Sequence, residues 1–499
     1  MNFCKSCSFF LCLIFLVACQ KDPATLAIDP LPYLPEEVSV VGVLTTERLL
    51  AASRDEQLQA TDCFQKMLRR TQGQNPVLSA LLRAPDQAGI HLNQNIYFTY
   101  SIDPQNINRG FSALTLSVKT SQAFAEMVQQ AGFGTIESKT NYQYALRANT
   151  IVAWNEQLAV IGGANQKMDL TTEVEKILHS DGQSPIANHP DLQACLSQKS
   201  DIVIWMNSHA LAKSQEVKSI LGLAGLDPKL LNDNYLHHYL DFADGQMEGR
   251  TNYRLQEELQ LLLSQFFKDQ LDTDLVNDLP GTTTSVLGMA LDLSGWEAFF
   301  GSNLQLSMVA SFALKSYGLS LSDLPQIFAG DLLLAQYTQK GKSPYLLTTK
   351  LKDVDRFQVL LDGLEAKGLV RPMAGGYEVP IFRRGFSLGT FRIPAGNNWL
   401  FIKDQQILFS NQLELLQQAI EGTSTDKRQG ASASFSPFRE SVFGFVFDFE
   451  TLAEQDTRKA SAFRQLFISS NQETATYRLQ QLNTQQNSAY HLCDLLNAF

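Results

Sequence analysis

Four short stretches hold residue types that could do chemistry. Gly385-Phe386-Ser387-Leu388-Gly389 has the G-x-S-x-G spacing of a nucleophile elbow, where a serine hydroxyl attacks an acyl carbon. That chemistry needs a strand before the serine and a helix after it, so that a strained turn lifts Oγ above the sheet. Here "TFRIPAGNNWLFI" follows, with Pro394 inside it. That pattern predicts strand and turn, so the stretch reads as a glycine-rich bend in a sheet. Gly341-Lys342-Ser343 has the ending of a phosphate-binding loop. Such a loop needs a glycine where Gln336 stands and a helix where Pro344 stands, so nucleotide binding is excluded there. His237-His238 could suggest a metal. Adjacent strand residues point to opposite faces, and no further ligand motif supports the pair. They read as exposed or core-edge histidines. Asp272, Asp274 and Asp278 lack the central glycine and closing glutamate of a calcium loop. They read as a solvated linker. No catalytic residue, metal ligand or cofactor site is called for.

The remaining chemical candidate is Cys19. The apolar run Phe9 to Ala18, "FFLCLIFLVA", stands behind a single cation, Lys5. A membrane-spanning helix needs about 20 apolar residues. A run near half that length behind a positive start is the core of a secretory signal. Leu16-Val17-Ala18-Cys19 has the spacing of a bacterial lipobox, which predicts cleavage before Cys19 and a lipid on its thiol. One acyl chain binds a membrane reversibly, at about 0.8 kcal/mol per buried CH₂, whereas two or three chains hold firmly. Residues 1–18 are therefore expected to be a signal peptide, and 19–31, "CQKDPATLAIDPL", a tether.

The rest of the 499-residue chain is 44% hydrophobic and 18% charged, a globular balance. Past Ala18 no apolar run could span a bilayer. The formal charge is −11 with no basic cluster, which argues against nucleic acid. Cys63, Cys195 and Cys493 are scattered, so they form neither a disulfide framework nor a zinc site and read as core thiols.

The elements that could position a site come in two similar series. "LPEEVSVVGVLTTERLL" from Leu34 is echoed by "LPGTTTSVLGMALDLSGW" from Leu279. "NIYFTYSI" answers "GDLLLAQYT", and "LTLSVKTSQAFAEMV" answers "YLLTTKLKDVDRFQVLL". In the latter pair a Phe follows five residues after the lysine (Phe124, Phe357), where the apolar period changes from strand to helix. "TIVAWNEQLAVIG" and "NWLFIKDQQILFS" each read as a hairpin followed by an amphipathic helix. "DIVIWMNSHAL" and "FGFVFDFETL" place Asn207 and Asp448 to cap the next helix. Each series closes with a hairpin and a terminal helix. The first turns at Asp244-Gly245, and the second is expected within "ATYRLQQLNTQQNSAYHL". The expectation is an α+β chain with antiparallel sheets, built as two tandem copies over 32–276 and 277–499.

The Leu34-Pro35-Glu36-Glu37-Val38 strand, "AGIHLNQNIYFTY", "IFAGDLLLA" and "FADGQMEG" resemble a family of Bacteroidetes lipoproteins known only as a domain of unknown function. The resemblance covers nearly the whole chain after the signal. It implies an exported, membrane-anchored protein of the outer membrane, and supplies no catalytic residues. Gln20-Lys21-Asp22 looks like the start of a surface-export tag with fewer acids than usual, which leaves both the periplasmic face and the cell surface open. The expected function is a non-enzymatic binding or interaction module. It is held to the membrane through the lipid on Cys19 and meets an envelope protein or glycan partner. An anchored hydrolase of envelope material and a small-ligand or lipid carrier are the alternatives.

Overall fold

In the computed structural model, Val40–Leu44 (β1) buries all five of its residues. An unbroken apolar run of this kind belongs to a strand covered on both faces. The structure describes residues 27–52, 65, 68–69, 71–73, 75–277, 279–337, 344–380, 386–388, 391–393, 397–421, 438, 440–455, 462–485 and 487–488. They fall into two units: one drawn from 1–222, 227–256 and 483–499, the other from 223–226 and 257–482. Both mix helices with antiparallel sheet, so the chain is α+β.

In the first unit β1 is joined by Ile96–Asp103 (β2), Asn106–Ser117 (β3), Ile136–Ser138 (β4), Gln143–Arg147 (β5), Thr150–Trp154 (β6), Leu158–Ala164 (β7), Ile202–Asn207 (β8), Tyr235–Ala243 (β9) and Gln246–Arg254 (β10). Their order across the sheet is β10-β9-β8-β1-β2-β3-β7-β6-β5-β4, antiparallel throughout. Ser121–Gln130 (α1) begins where the period changes, and its Phe124 is fully buried. Leu170–Leu178 (α2) starts on Asp169, whose carboxylate accepts from the Thr171 and Thr172 amides at 3.0 and 3.4 Å. Such a cap satisfies amides that the first turn of a helix leaves without a partner. The helix buries Leu170, Val174, Ile177 and Leu178 against Phe111, Ile151 and Val160. Those positions form one helical face, and each such side chain contributes roughly 1.5–3 kcal/mol. Pro190–Leu196 (α3) buries Leu192 and Cys195 beside Val41, Val203 and Trp205. Cys195 is thus a core thiol, and burial pushes its pKa up to about 12. Cys63 and Cys493 lie outside the described residues.

The turn between β9 and β10 falls at Asp244-Gly245 as expected, with Ala243 opposite Gln246 and Gly245 at φ +74°. Residues 483–488 return to this turn. A Cβ on Gly245 would meet the Thr484 backbone at 2.8 Å, and Asn487 Nδ2 donates to the Phe242 carbonyl at 3.3 Å.

The second unit holds Ser285–Ala290 (β11), Phe328–Gln336 (β12), Tyr345–Leu351 (β13), Arg371–Met373 (β14), Gly376–Val379 (β15), Phe386–Leu388 (β16), Phe391–Ile393 (β17), Asn398–Lys403 (β18), Gln406–Ser410 (β19), Phe443–Asp448 (β20), Phe463–Ser470 (β21) and Thr474–Gln481 (β22). Its main sheet runs β22-β21-β20-β11-β12-β13-β19-β18-β15-β14, again all antiparallel. β16 and β17 pair only with each other. Ser387 therefore sits in a strand followed by a second strand, and the elbow is excluded on its backbone. Gly341-Lys342-Ser343 lie outside the described residues.

The closing hairpin of this unit differs from the sequence reading. It pairs β21 with β22, so "ATYRLQQ" is its second strand and not its first. The run "FRQLFISS" supplies the partner, pairing with β20 on its other side. Asp272 also differs from a solvated linker. Its carboxylate takes the Lys350 ammonium and the Asp274 amide (3.0 Å), and its own N–H donates to Asp331 Oδ1 at 3.2 Å. Burial pushes its carboxyl up, but those donors outweigh burial and hold it below the usual range. Asp274 is largely exposed and touches Lys350 at 3.2 Å, while Asp278 lies outside the described residues.

Leu293–Ser302 (α5) and Leu304–Lys315 (α6) bury no residue. On α6, Leu304, Met308, Val309 and Phe312 are 58–84% exposed and recur on one helical face. A side chain that buries nothing stabilises nothing. Phe312→Ser is therefore expected to change unfolding free energy by less than about 0.5 kcal/mol, read from urea titration at fixed protein concentration. Among the described residues no helix is long and apolar enough to cross a membrane.

Candidate functional site

Five chain segments of the first unit converge on an open cleft of about 970 Å³. Leu34–Ser39 leads into β1 and contributes the exposed carboxylates Glu36 and Glu37. The facing ends of β2 and β3 bring Asp103 and Arg109. α2 and the turn after it bring Glu173, Glu175, Lys176, His179 and Asp181. The 3-10 turn Pro185–Asn188 and the residues beside it bring Ser184 and His189. The end of β8, the short helix His209–Lys213 (α4) and the start of β9 bring Trp205, Asn207, His209, Lys213, Asp233 and Tyr235. The sheet order assembles these groups, since β8 lies between β9 and β1.

Three rings cluster on the wall. Trp205 and Tyr235 are stacked at 5.7 Å and 24°, and His189 lies 5.5 and 5.3 Å from them. His189 Nε2 is 3.4 Å from the Tyr235 hydroxyl. Burial, together with Asp233, raises the Tyr235 phenol above its ordinary value. Trp205 is 1% exposed, so the half-buried Tyr235 offers the more accessible ring.

A buried carboxylate holds this cluster in place. Asp191 Oδ2 accepts from Trp205 Nε1 at 3.0 Å and lies 2.7 Å from His237 Nε2, while Oδ1 lies 2.9 Å from an Arg254 guanidinium nitrogen. His237 is 4% exposed, contrary to the expected edge position. The β9 register turns it into the core, where Asp191 satisfies its ring. His238 points to the opposite face, as strand geometry requires, and lies 2.8 Å from Thr251 Oγ1. The two therefore do not share a ligand, and among the described residues no group of His, Cys, Asp and Glu is arranged to hold a metal.

Burial pushes the His238 imidazole down to about 4, from 6.5. Above pH 6.5 both folded and unfolded forms are neutral. As the pH falls towards 4 only the unfolded chain takes the proton, so folding is destabilised. At pH 5 the loss is about 2 kcal/mol. His238→Gln should remove that part of the fall in stability between pH 7 and pH 5, as measured by urea unfolding; an unchanged fall would refute the assignment.

The charges of the cleft are only partly neutralised within it. Asp103 meets Arg109 at 3.6 Å and Glu173 meets Lys176 at 2.8 Å. Glu175 takes the Lys139 ammonium and the Tyr142 hydroxyl (2.9 Å), and these two hydrogen bonds hold its carboxyl below the usual range. Glu36, Glu37, Asp181 and Asp233 have no cationic partner among the described residues. Three buried polar atoms of the wall have no hydrogen-bond partner among the described residues: Ser184 Oγ, His189 Nδ1 and Arg109 Nε.

Cys19 lies outside the described residues. Sequence reading singled out none of the cleft residues as a site.

The molecule is thus a protein of two α+β units with an acidic, aromatic-walled cleft in the first. It belongs to the family described as "Domain of unknown function (DUF4836)", which matches residues 33–419. Comparison with curated proteins gave no match. Among solved structures the chain is similar to crystal forms I and III of TP0453, at 11% identity and TM-scores of 0.30 and 0.29. Each covers 50% of this chain, and 89% and 90% of the TP0453 chain respectively.

Proposed function

We propose that this is an exported, lipid-anchored protein of the bacterial outer membrane, and that it works by binding a ligand or envelope partner in the cleft of its first unit. The observation that carries the reading is the cleft: about 970 Å³, with four carboxylates that have no cationic partner among the described residues and an aromatic wall held by a buried Asp191. Glu175 is not poised as the general acid of a hydrolase. A general acid needs a carboxyl raised towards neutrality, and here hydrogen bonds from Lys139 and Tyr142 lower it. Anchoring rests on Leu16-Val17-Ala18-Cys19.

The two units also support descent from one unit by tandem duplication. Their main sheets have corresponding strand orders, with β1 to β5 answering β11 to β15, β6 to β9 answering β18 to β21, and β10 answering β22. The β16–β17 hairpin is then an insertion in the second.

The anchoring half is tested by feeding an alkyne-tagged fatty acid to bacteria making the full chain. Label should enter the wild-type protein and be lost in Cys19→Ser. Label retained in the variant would place the lipid elsewhere or remove it from the account. The binding half is tested below.

A further inference from the structure

The geometry points to a specific ligand class for the cleft: a molecule carrying two or more amines. This rests on the reading of the cleft as a binding site and deepens it.

The first observation is charge. Three of the cleft's carboxylates have lysine or arginine partners, whereas Glu36, Glu37, Asp181 and Asp233 have none among the described residues. Lys213 is the one cleft lysine or arginine without a carboxylate partner among those residues. The leftover charge is negative, and it is concentrated in a concave site, where low-dielectric walls focus the field. Glu36 and Glu37 are adjacent and exposed, so their repulsion is relieved by a cation between them and the wall.

The second observation is independent of charge. Ser184 is 7% exposed, and among the described residues its Oγ and His189 Nδ1 have no hydrogen-bond partner. A buried polar atom left unsatisfied costs about 1–3 kcal/mol. Both atoms can accept a hydrogen bond, Nδ1 when the imidazole carries its proton on Nε2. Both atoms are covered in the empty cleft but belong to residues that line it; an ammonium offers three donors and no acceptor, so it satisfies either where the wall opens to it.

The third is the ring cluster. The accessible Tyr235 ring, stacked on Trp205, gives an ammonium a π-face to sit over. Acceptors, carboxylates and an aromatic face are what a chain of amines needs. A neutral glycan would use the rings but leave the charge uncompensated.

The test is isothermal titration of the full chain with spermine, and separately with tetra-N-acetylchitotetraose as a neutral saccharide. Spermine is expected to bind with one-to-one stoichiometry, and raising salt from 0.05 to 0.5 M should weaken it at least about tenfold. Glu36→Gln/Glu37→Gln alters exposed side chains only, so folding is retained, and should weaken binding about tenfold. Tyr235→Leu should weaken it about threefold or more, whereas Tyr235→Phe should not, since the π-face remains. Binding of the N-acetylated tetrasaccharide without spermine binding would overturn the amine assignment and leave the cleft reading standing. Binding of neither would overturn both. Spermine binding that is unaffected by the glutamine and leucine variants would show diffuse attraction to an acidic protein, and would also overturn the assignment.

Discussion

Replacing Asp191 with alanine is expected to cost the first unit about 3 kcal/mol and to disorder the cleft wall together with it. The carboxylate serves three partners at once: the Trp205 indole N–H, the His237 ring and the Arg254 guanidinium. Arg254 is 55% exposed and recovers water when the acid is lost, so it adds little to the cost. Trp205 is 1% exposed and does not recover water, so its N–H is left buried without an acceptor, at about 1–3 kcal/mol. The buried His237 loses its partner in the same way, and a small cavity adds to the total. Asp191→Asn keeps an acceptor for Trp205 and should cost less than half as much. The check is urea unfolding followed by tryptophan fluorescence. If both variants match the wild type, the carboxylate does not hold the rings.

The second large effect is expected at Gly330. It has φ +95°, and a Cβ built on it would lie 2.0 Å from the Leu291 carbonyl oxygen. Alanine there must leave the left-handed region and also push backbone apart. Strain of this sort costs about 1–3 kcal/mol before any overlap is counted. The obstructing atom is main chain next to the cap of α5, which cannot swing aside as a side chain can. Gly330→Ala is therefore predicted to destabilise the second unit by at least about 3 kcal/mol, with the first unit's cleft unaffected. Differential calorimetry that shows two transitions would move only the one belonging to the second unit. A shift below about 1 kcal/mol would mean that the strand start rearranges at little cost.

These two residues differ in how far the sequence disclosed them. Gly330 stood in "IFAGDLLLA", a glycine opening an apolar run, and that is a local signal of a special backbone position. The α+β class, the Asp244-Gly245 turn and the helix starts near Phe124 and Phe357 were legible for the same reason, because they depend on neighbours within a few residues. So was the cap Asp448, which accepts from Thr451 at 2.8 Å, while Asn207 accepts from the His209 amide at 3.1 Å from one residue before the N-cap position, Ser208. Asp191 was not legible. In sequence it is an ordinary acid in the first turn of α3, and its partner His237 is 46 residues away. The cleft was hidden for a stronger reason. Glu36, Asp103, Glu175, His189 and Tyr235 share no spacing, and they meet through the strand order of the first sheet, in which β8 lies between β9 and β1 and β2 lies on the other side of β1. Strand order arises from non-local pairing, and no short motif encodes it. The misplaced final hairpin has a similar origin. "ATYRLQQ" alternates as a strand should, but alternation says nothing about which flank supplies the partner.

The return of residues 483–488 to the β9–β10 turn has a consequence for synthesis. The Thr484 backbone sits against Gly245, and Asn487 binds the Phe242 carbonyl. On a ribosome these residues emerge only after the second unit has been made. The first unit must wait, with its turn unclasped, while some 226 residues of another body are translated and fold. Its order of birth is therefore first, but its order of completion is last.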